Sequence, residues 1–231
     1  MGLNSFVARE PRALPIFVLA DTSGSMRGDK INELNLALRE MLTALNNVDD
    51  IRGKFQLAVI SFGGEVNVIQ PLADIDEISL SELTASGNTP MGEAFEIVKD
   101  LIEDKEVVSS RAYTPTIVLI SDGMPTDCSE EFYYKKNYLD WEPLKGLLSG
   151  VRSSKCQRLA LGIGEDADIE MLRVFLNNSE IPVIKAKDSS GITNFFKWVT
   201  MSTVARMNSI NPNEIGVVAP IFDIDTEDII I

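Results

Sequence analysis

Short apolar runs alternate with amphipathic stretches along most of the chain, and this alternation limits the fold more than any other feature. The runs are rich in β-branched residues and apolar at successive positions, which is typical of strands buried on both faces of a sheet. They lie at 14–20, 55–60, 116–121, 158–163 and 181–184. We therefore expect five central strands.

The stretches between these runs carry apolar residues at steps of three and four, which is the spacing of a helix with one buried face. Four such helices are predicted, with apolar faces formed by Ile31, Leu34, Leu38, Leu42 and Leu45; by Met91, Ala94, Phe95, Val98, Leu101 and Ile102; by Met171, Leu172, Phe175 and Leu176; and by Ile192, Phe195, Phe196 and Val199. Strands and helices in alternation predict an α/β fold with a mostly parallel sheet, helices on both faces and right-handed crossovers.

One further segment, 65–72, has a different pattern. Its apolar and polar residues alternate, and Pro71 lies near its end. Proline is tolerated on edge strands, and the glycines Gly63 and Gly64 provide a tight turn after 55–60. We expect one antiparallel edge strand at this position.

The length of 231 residues and the 45% hydrophobic content suit one α/β domain. We expect this domain to occupy residues 12–208, between an N-terminal segment at 1–11 and an irregular extension at 209–231. The run Leu14–Ala20 is too short to cross a bilayer and no secretory leader is evident. We therefore expect a cytoplasmic protein with no membrane partner.

The composition excludes several classes of chemistry. The chain has no histidine, which removes Ser-His-Asp and Cys-His catalysis and every imidazole-ligated zinc site. Two cysteines provide neither a disulfide framework nor a four-cysteine metal site. A formal net charge of -14 disfavours binding to nucleic acid.

Two aspartates directly follow predicted strands. Asp21 ends the first run, and Asp122 follows the run at 116–121. In a parallel sheet both carboxylates emerge at the carboxyl edge of the strands, where open α/β sheets bind ligands. Thr89, just before a predicted helix, belongs to the same edge, and Ser23 and Ser25 follow Asp21 at alternate positions.

Carboxylates and hydroxyls in one crevice are the chemistry of a hard divalent cation. Two close carboxylates without a cation repel each other, and Mg²⁺ accepts oxygen ligands in an octahedral arrangement while keeping some water. We therefore predict that Asp21, Ser23, Ser25, Thr89 and Asp122 bind Mg²⁺ or Mn²⁺.

These residues resemble a known family. The stretch DTSGS at 21–25 is similar to the D-x-S-x-S signature of von Willebrand factor type A domains, and Thr89 and the SDG turn at 121–123 match the family's two later segments. Together they resemble a complete metal-ion-dependent adhesion site (MIDAS). The resemblance implies a Rossmann-like three-layer sandwich, no catalysis, and an ion that takes an Asp or Glu of a partner protein as its last ligand.

Within the superfamily, the chain resembles the bacterial intracellular TerY-like group of tellurite and stress resistance, through LPIFVLADTSGSM, TPMG and SDGMPTD. That resemblance implies a kinase, a phosphatase or another tellurite-resistance protein as partner.

Two alternatives accompany the metal-binding interpretation. Ser23 and Ser25 are also ordinary turn residues, Thr89 is a suitable helix cap, and Asp122 begins a plausible β-turn. The second alternative is a metal-dependent hydrolase or phosphotransferase that uses Asp21 or Asp122 as nucleophile or base. Such an enzyme needs a cation to hold a phosphate, and near the motifs only Arg27 and Lys30 are available.

The segment after Asp122 is rich in aromatic residues and has two adjacent lysines, 135 and 136. Aromatic side chains are enriched at binding hot spots. Tyr134 and Tyr138 lie four apart, so one helical face can present both. We predict that this pair is exposed and binds the partner, whereas the alternative is that the aromatic rings here only pack on the core.

Overall fold

A single seven-stranded sheet forms the centre of the protein. The structure, a computed structural model, describes residues 11–48, 52–135, 137–213 and 229–230. The strands are β1 (Arg12–Asp21), β2 (Gly53–Gly63), β3 (Glu65–Asp74), β4 (Thr116–Ser121), β5 (Gln157–Ile163), β6 (Val183–Ala186) and β7 (Ile229–Ile230). Their order across the sheet is β3-β2-β1-β4-β5-β6-β7.

The five central strands are parallel, as the apolar runs predict. β1 pairs with β2 on one side and with β4 on the other, and β5 and β6 continue in the same direction. β3 pairs antiparallel with β2 and forms one edge of the sheet. Every residue of β4 and β5 is buried, which requires that both faces of the sheet are covered.

The helices are α1 (Asp29–Asn46), α2 (Met91–Glu103), α3 (Glu130–Lys135), α4 (Glu142–Ser149), α5 (Ile169–Leu176) and α6 (Ser190–Asn208). α1 packs against α6, and α2 packs against α4. Among the described residues, no helix combines the length and the apolar composition needed to span a membrane.

The predicted fold class is confirmed: the sheet is mostly parallel, with an antiparallel edge strand and helices on both faces, in a Rossmann-like arrangement. α3 lies within the aromatic segment after β4, where the spacing of Tyr134 and Tyr138 was the only sign of a helix. The sequence pattern did not indicate α4, which is short and follows that segment. β7, two residues within the segment expected to be irregular, also pairs antiparallel with β6 at the other edge.

A buried arginine connects the end of α6 to the start of two central strands. Arg206 is 2% exposed, and it donates to the hydroxyl of Thr116, the side-chain carbonyl of Gln157 and the backbone carbonyls of Thr114 and Pro212. These acceptors are all neutral. Burial lowers the pKa of Arg206 to about 10, so the guanidinium remains charged at neutral pH.

Candidate metal centre

The two predicted acidic ligands lie on neighbouring strands. β1 ends at Asp21, and β4 ends at Ser121, directly before Asp122. The strands are in parallel register, with Ala20 opposite Ile120. Since the chain leaves β1 for β2 on one side and later enters β4 on the other, a crevice opens at the carboxyl ends of β1 and β4, as at other switch points of α/β sheets.

Hydrogen bonds connect four of the five predicted ligands into one run. The backbone N–H of Ser23 donates to Asp21 Oδ1 over 2.8 Å, and the hydroxyls of Ser23 and Ser25 lie 3.0 Å apart. The Ser25 hydroxyl then donates to Asp122 Oδ1 over 2.7 Å. The turn after β1 thus connects Asp21 to Asp122 through a continuous series of hydrogen bonds.

Thr89 is connected to this run through the backbone of its loop. The N–H of Gly24 donates to the carbonyl of Gly87 over 2.9 Å, which holds the loop before α2 against the turn after β1. Thr89 is 6% exposed, and it exchanges hydrogen bonds with Thr126, whose hydroxyl accepts from the Thr89 N–H and whose N–H donates to the Thr89 carbonyl.

Two glycines allow the loop before α2 to pack closely against the turn between β2 and β3. Gly64 and Gly87 both have φ of +73°, a backbone conformation that favours glycine. A Cβ built on Gly87 would lie 2.4 Å from the Cα of Gly64, closer than non-bonded carbon atoms approach. The loop that carries Thr89 therefore depends on the absence of a side chain at residue 87.

Burial determines the electrostatics of the two acids. Asp21 is 0% exposed and Asp122 is 2% exposed. Desolvation raises the pKa of Asp21 above its ordinary value; hydrogen bonds from Ser121 and Ser23 oppose this effect, and the charge of Asp122 adds to it. A buried, mutually repelling pair of carboxylates is an arrangement that a cation stabilises.

Two residues contact these acids without being predicted as ligands. The hydroxyl of Ser121 donates to Asp21 Oδ2 over 2.6 Å. The ammonium of Lys30 lies 2.6 Å from Asp122 Oδ2. The signal for Ser121 was its position beside Asp122 at the end of a strand. Lys30 was considered only as a phosphate-binding cation, although it lies in the first turn of α1, five residues after Ser25.

The donor set fits a hard divalent cation. It consists of carboxylate and hydroxyl oxygens, which suit Mg²⁺ and Mn²⁺ better than the softer metals that favour thiolates. The described part of the chain contains no cluster of three or more His, Cys, Asp or Glu side chains that could hold a metal ion, and this crevice has two acids.

The predicted pair of partner-binding tyrosines does not share a surface. Tyr134, on α3, is 79% exposed, as expected. Tyr138 is 1% exposed: its hydroxyl donates to Asp168 Oδ2 over 2.5 Å, and its ring packs edge-on against Trp141. The prediction that Tyr138 is exposed was therefore wrong.

The reason is a break in the helix. A shared face at a spacing of four needs a continuous helix, but α3 ends at Lys135, and Tyr138 begins a separate 3-10 turn, Tyr138–Asp140. Trp141 is also buried and contacts Phe95 edge-on, so this part of the aromatic segment packs on the core.

Sequence comparison identifies a related family. The sequence model described as the von Willebrand factor type A domain matches residues 16–124, a range that contains all five predicted ligands. The inter-alpha-trypsin inhibitor heavy chain H4 of Sus scrofa is 34% identical over 120 residues. The match covers 48% of this chain but only 12% of that protein.

Solved structures share the fold. A von Willebrand factor type A protein from Catenulispora acidiphila has a TM-score of 0.62 at 17% identity, over 83% of this chain and 42% of that chain. Proximal thread matrix protein 1 from the mussel byssus, with a zinc-occupied MIDAS motif, has a TM-score of 0.60 at 17% identity, over 82% and 48%.

Manganese-loaded TRAP protein of Plasmodium vivax has a TM-score of 0.57 at 18% identity, over 80% of this chain and 72% of that chain. At such identities the likeness of these structures shows the fold alone. The chain is thus similar to von Willebrand factor type A domains in sequence over residues 16–124, and it shares the fold of these solved structures.

Proposed function

We propose that this chain is a metal-ion-dependent protein-binding module. The observation that carries the proposal is the run of hydrogen bonds from Asp21 through Ser23 and Ser25 to Asp122. It brings oxygen donors from two separate parts of the chain into one crevice, in which Asp21, Ser23 and Asp122 are buried and Ser25 is exposed. As turn residues alone, these side chains would have no reason to meet.

The residues that would hold the ion are Asp21, Ser23, Ser25, Thr89 and Asp122, and the ion would be Mg²⁺ or Mn²⁺. The zinc-occupied MIDAS motif of the mussel protein and the manganese-loaded TRAP protein support a divalent cation in a domain of this fold. When bound, the ion supplies a positive centre that can accept a carboxylate oxygen from outside the domain.

The partner would be a protein that presents an exposed Asp or Glu. Because this chain carries a net charge of -14, an acidic partner surface is repelled at long range and needs the local charge of the ion. Tyr134, which is 79% exposed, is the one residue of the predicted tyrosine pair that remains in the proposed contact surface.

The hydrolase or phosphotransferase alternative gains no support from the site. Lys30, one of the two cations considered for holding a phosphate, is paired with Asp122. Arg27 donates through Nε to the carbonyl of Ala85. A comparison of wild type with Asp21→Ala on generic phosphate esters tests this alternative, and metal-dependent turnover lost in the variant would favour it.

The finer context remains a prediction that follows from the TerY-like resemblance. It comprises a role in bacterial stress or tellurite resistance, a cytoplasmic location, and a kinase, phosphatase or tellurite-resistance protein as partner. Affinity purification with and without EDTA, followed by mass spectrometry, would identify partners whose binding requires the ion.

Calorimetric titration of MgCl₂ and MnCl₂ tests the site itself. We expect wild type to bind one ion and Asp21→Ala to lose binding. Asp168→Asn is the matched control, because Asp168 is also buried, at 4% exposed, and caps α5 through the N–H of Met171. Equal binding by wild type and Asp21→Ala would refute the site.

A further inference from the structure

The ion pair between Lys30 and Asp122 connects two parts of the chain that are 92 residues apart. The Lys30 Nζ lies 2.6 Å from Asp122 Oδ2, at the length of a strong charge-assisted hydrogen bond. The Asp122 side chain is 0% exposed, whereas the Lys30 side chain is 30% exposed. The buried acid is therefore neutralised by a side chain that reaches in from the surface.

Lys30 is poorly placed for the helix that carries it. It is the second residue of α1, and a cation in the first helical turn is unfavourable beside the positive end of the helix dipole. Asp29, the residue before it, has the charge that suits this position. The position of Lys30 is thus better explained by Asp122 than by the stability of α1.

The partners of the two acids differ in charge. Asp21 accepts hydrogen bonds from two neutral donors, the N–H of Ser23 and the hydroxyl of Ser121. Asp122 accepts from the neutral hydroxyl of Ser25 and from the charged ammonium of Lys30. The positive charge at the site is therefore located on the Asp122 side.

We propose that Lys30 is an internal counter-ion that competes with the divalent cation for Asp122. In the metal-free protein it compensates the buried carboxylate. When an ion is bound, the ammonium and the ion repel each other at short range beside the buried Asp122 carboxylate, so Lys30 lowers the affinity for the metal. This inference rests on the proposed function, because it concerns the same site.

The side chain of Lys30 is suited to such an exchange. Its flexible four-carbon stem and its partial exposure allow the ammonium to move into solvent without unfolding α1. The measured metal affinity then reflects the free energy of binding the divalent cation at Asp122 less the free energy of pairing Lys30 with the same carboxylate. It can be changed at residue 30 without altering any proposed ligand.

Removal of the charge at residue 30 tests the inference. Lys30→Met keeps a long side chain and deletes the ammonium. The matched control is Lys54→Met, because Lys54 forms a similar pair, 2.5 Å from Asp74 Oδ2, at the start of β2, away from the carboxyl edge of the sheet. Both variants change the net charge equally, so the control corrects for long-range electrostatics.

We expect calorimetry with MgCl₂ and MnCl₂ to show a dissociation constant at least about fivefold lower for Lys30→Met than for wild type, with Lys54→Met close to wild type. In EDTA, Lys30→Met should have a lower melting temperature than wild type, because Asp122 loses its counter-ion. Lys30→Gln, which keeps a hydrogen-bond donor without the charge, serves if Lys30→Met does not fold.

The failure of each proposal is distinguishable. If wild type binds neither metal, the proposed function fails, and this inference fails with it. If wild type binds metal but the uncharged Lys30 variants bind it equally or more weakly, Lys30 does not compete and only this inference is overturned. An unchanged melting temperature in EDTA would also overturn it, by showing that Lys30 does not stabilise the metal-free protein.

Discussion

The hydroxyl of Ser121 donates a hydrogen bond of 2.6 Å to Asp21 Oδ2, across the boundary between β4 and β1. This contact occupies one oxygen of a fully buried acid, and the N–H of Ser23 occupies the other. The pKa of Asp21 is nevertheless raised, because loss of solvation outweighs both hydrogen bonds. Asp21 is therefore costly to ionise in the metal-free fold.

A first prediction is that Asp21→Asn stabilises the metal-free protein at neutral pH. The folded-state pKa of Asp21 lies above its ordinary value of 3.8, so the folded protein binds this proton more tightly than the unfolded chain does. The contribution of Asp21 to stability is then favourable at low pH and is lost as the pH rises through the folded pKa.

Urea unfolding in EDTA at a series of pH values measures this effect. The Asn variant should be more stable than wild type at pH 7, and the difference should shrink as the pH falls towards 3.8. With saturating Mg²⁺ the order should reverse, because only wild type binds the ion. An Asn variant that is less stable than wild type at pH 7 in EDTA would show that Asp21 is primarily structural.

A second prediction concerns the contact between Gly64 and Gly87. Gly87→Ala places a Cβ against the Cα of Gly64 in a left-handed backbone conformation, which should displace the loop that carries Thr89. We expect a stability loss of about 1–3 kcal/mol and weaker metal binding. Thermal unfolding and calorimetry measure the two effects.

Gly123→Ala is the control for this substitution. Gly123 follows Asp122 directly, but nothing lies within 4 Å of a Cβ built there. The variant should therefore keep both its stability and its metal affinity. If Gly87→Ala bound metal as wild type does, the position of the Thr89 loop would not matter for the ion.

A third prediction follows from the burial of Tyr138. Its hydroxyl donates to Asp168, which also accepts the N–H of Met171 at the start of α5. Tyr138→Phe should therefore cost about 1–3 kcal/mol of stability, because the buried carboxylate loses a partner. Tyr134→Phe, at an exposed position, should leave the melting temperature unchanged. Equal melting temperatures for the two variants would contradict the buried role of Tyr138.

A fourth prediction concerns Arg206. Arg206→Met would leave the carbonyls of Thr114 and Pro212 without this donor in a buried region, and we expect a loss of about 2–4 kcal/mol. Arg173→Met is the control, since its side chain is 48% exposed and forms an ion pair on α5 with the equally exposed Glu170. Urea unfolding of wild type and of both variants measures the free energy of unfolding of each.

The strands and the longer helices were predictable from sequence because their signals are local. A buried parallel strand is apolar at every position, and an amphipathic helix repeats its apolar residues at three- and four-residue steps. The positions of Asp21 and Asp122 at strand ends were predictable for the same reason. That β1 and β4 are neighbours did not follow from the sequence and is shown by the pairing of the two strands.

The aromatic segment after β4 shows where local signals are insufficient. A spacing of four between Tyr134 and Tyr138 indicates a shared helical face only if the helix continues, and α3 ends at Lys135. Tyr138 is held in the core by a hydrogen bond to Asp168, 30 residues further along the chain, and by an edge-on contact with Trp141. No pattern within the segment itself records the contact with Asp168.

The sequence by itself determined the order of strands and helices along the chain, the oxygen-rich character of the site and the edge of the sheet at which the site lies. Tertiary structure alone decided which groups contact the two acids. Ser121 is 100 residues from Asp21, and Lys30 is 92 residues from Asp122. Periodicity reports the burial of each element, whereas a hydrogen bond or an ion pair depends on the position of atoms within a fraction of an ångström, and only the packed fold determines that.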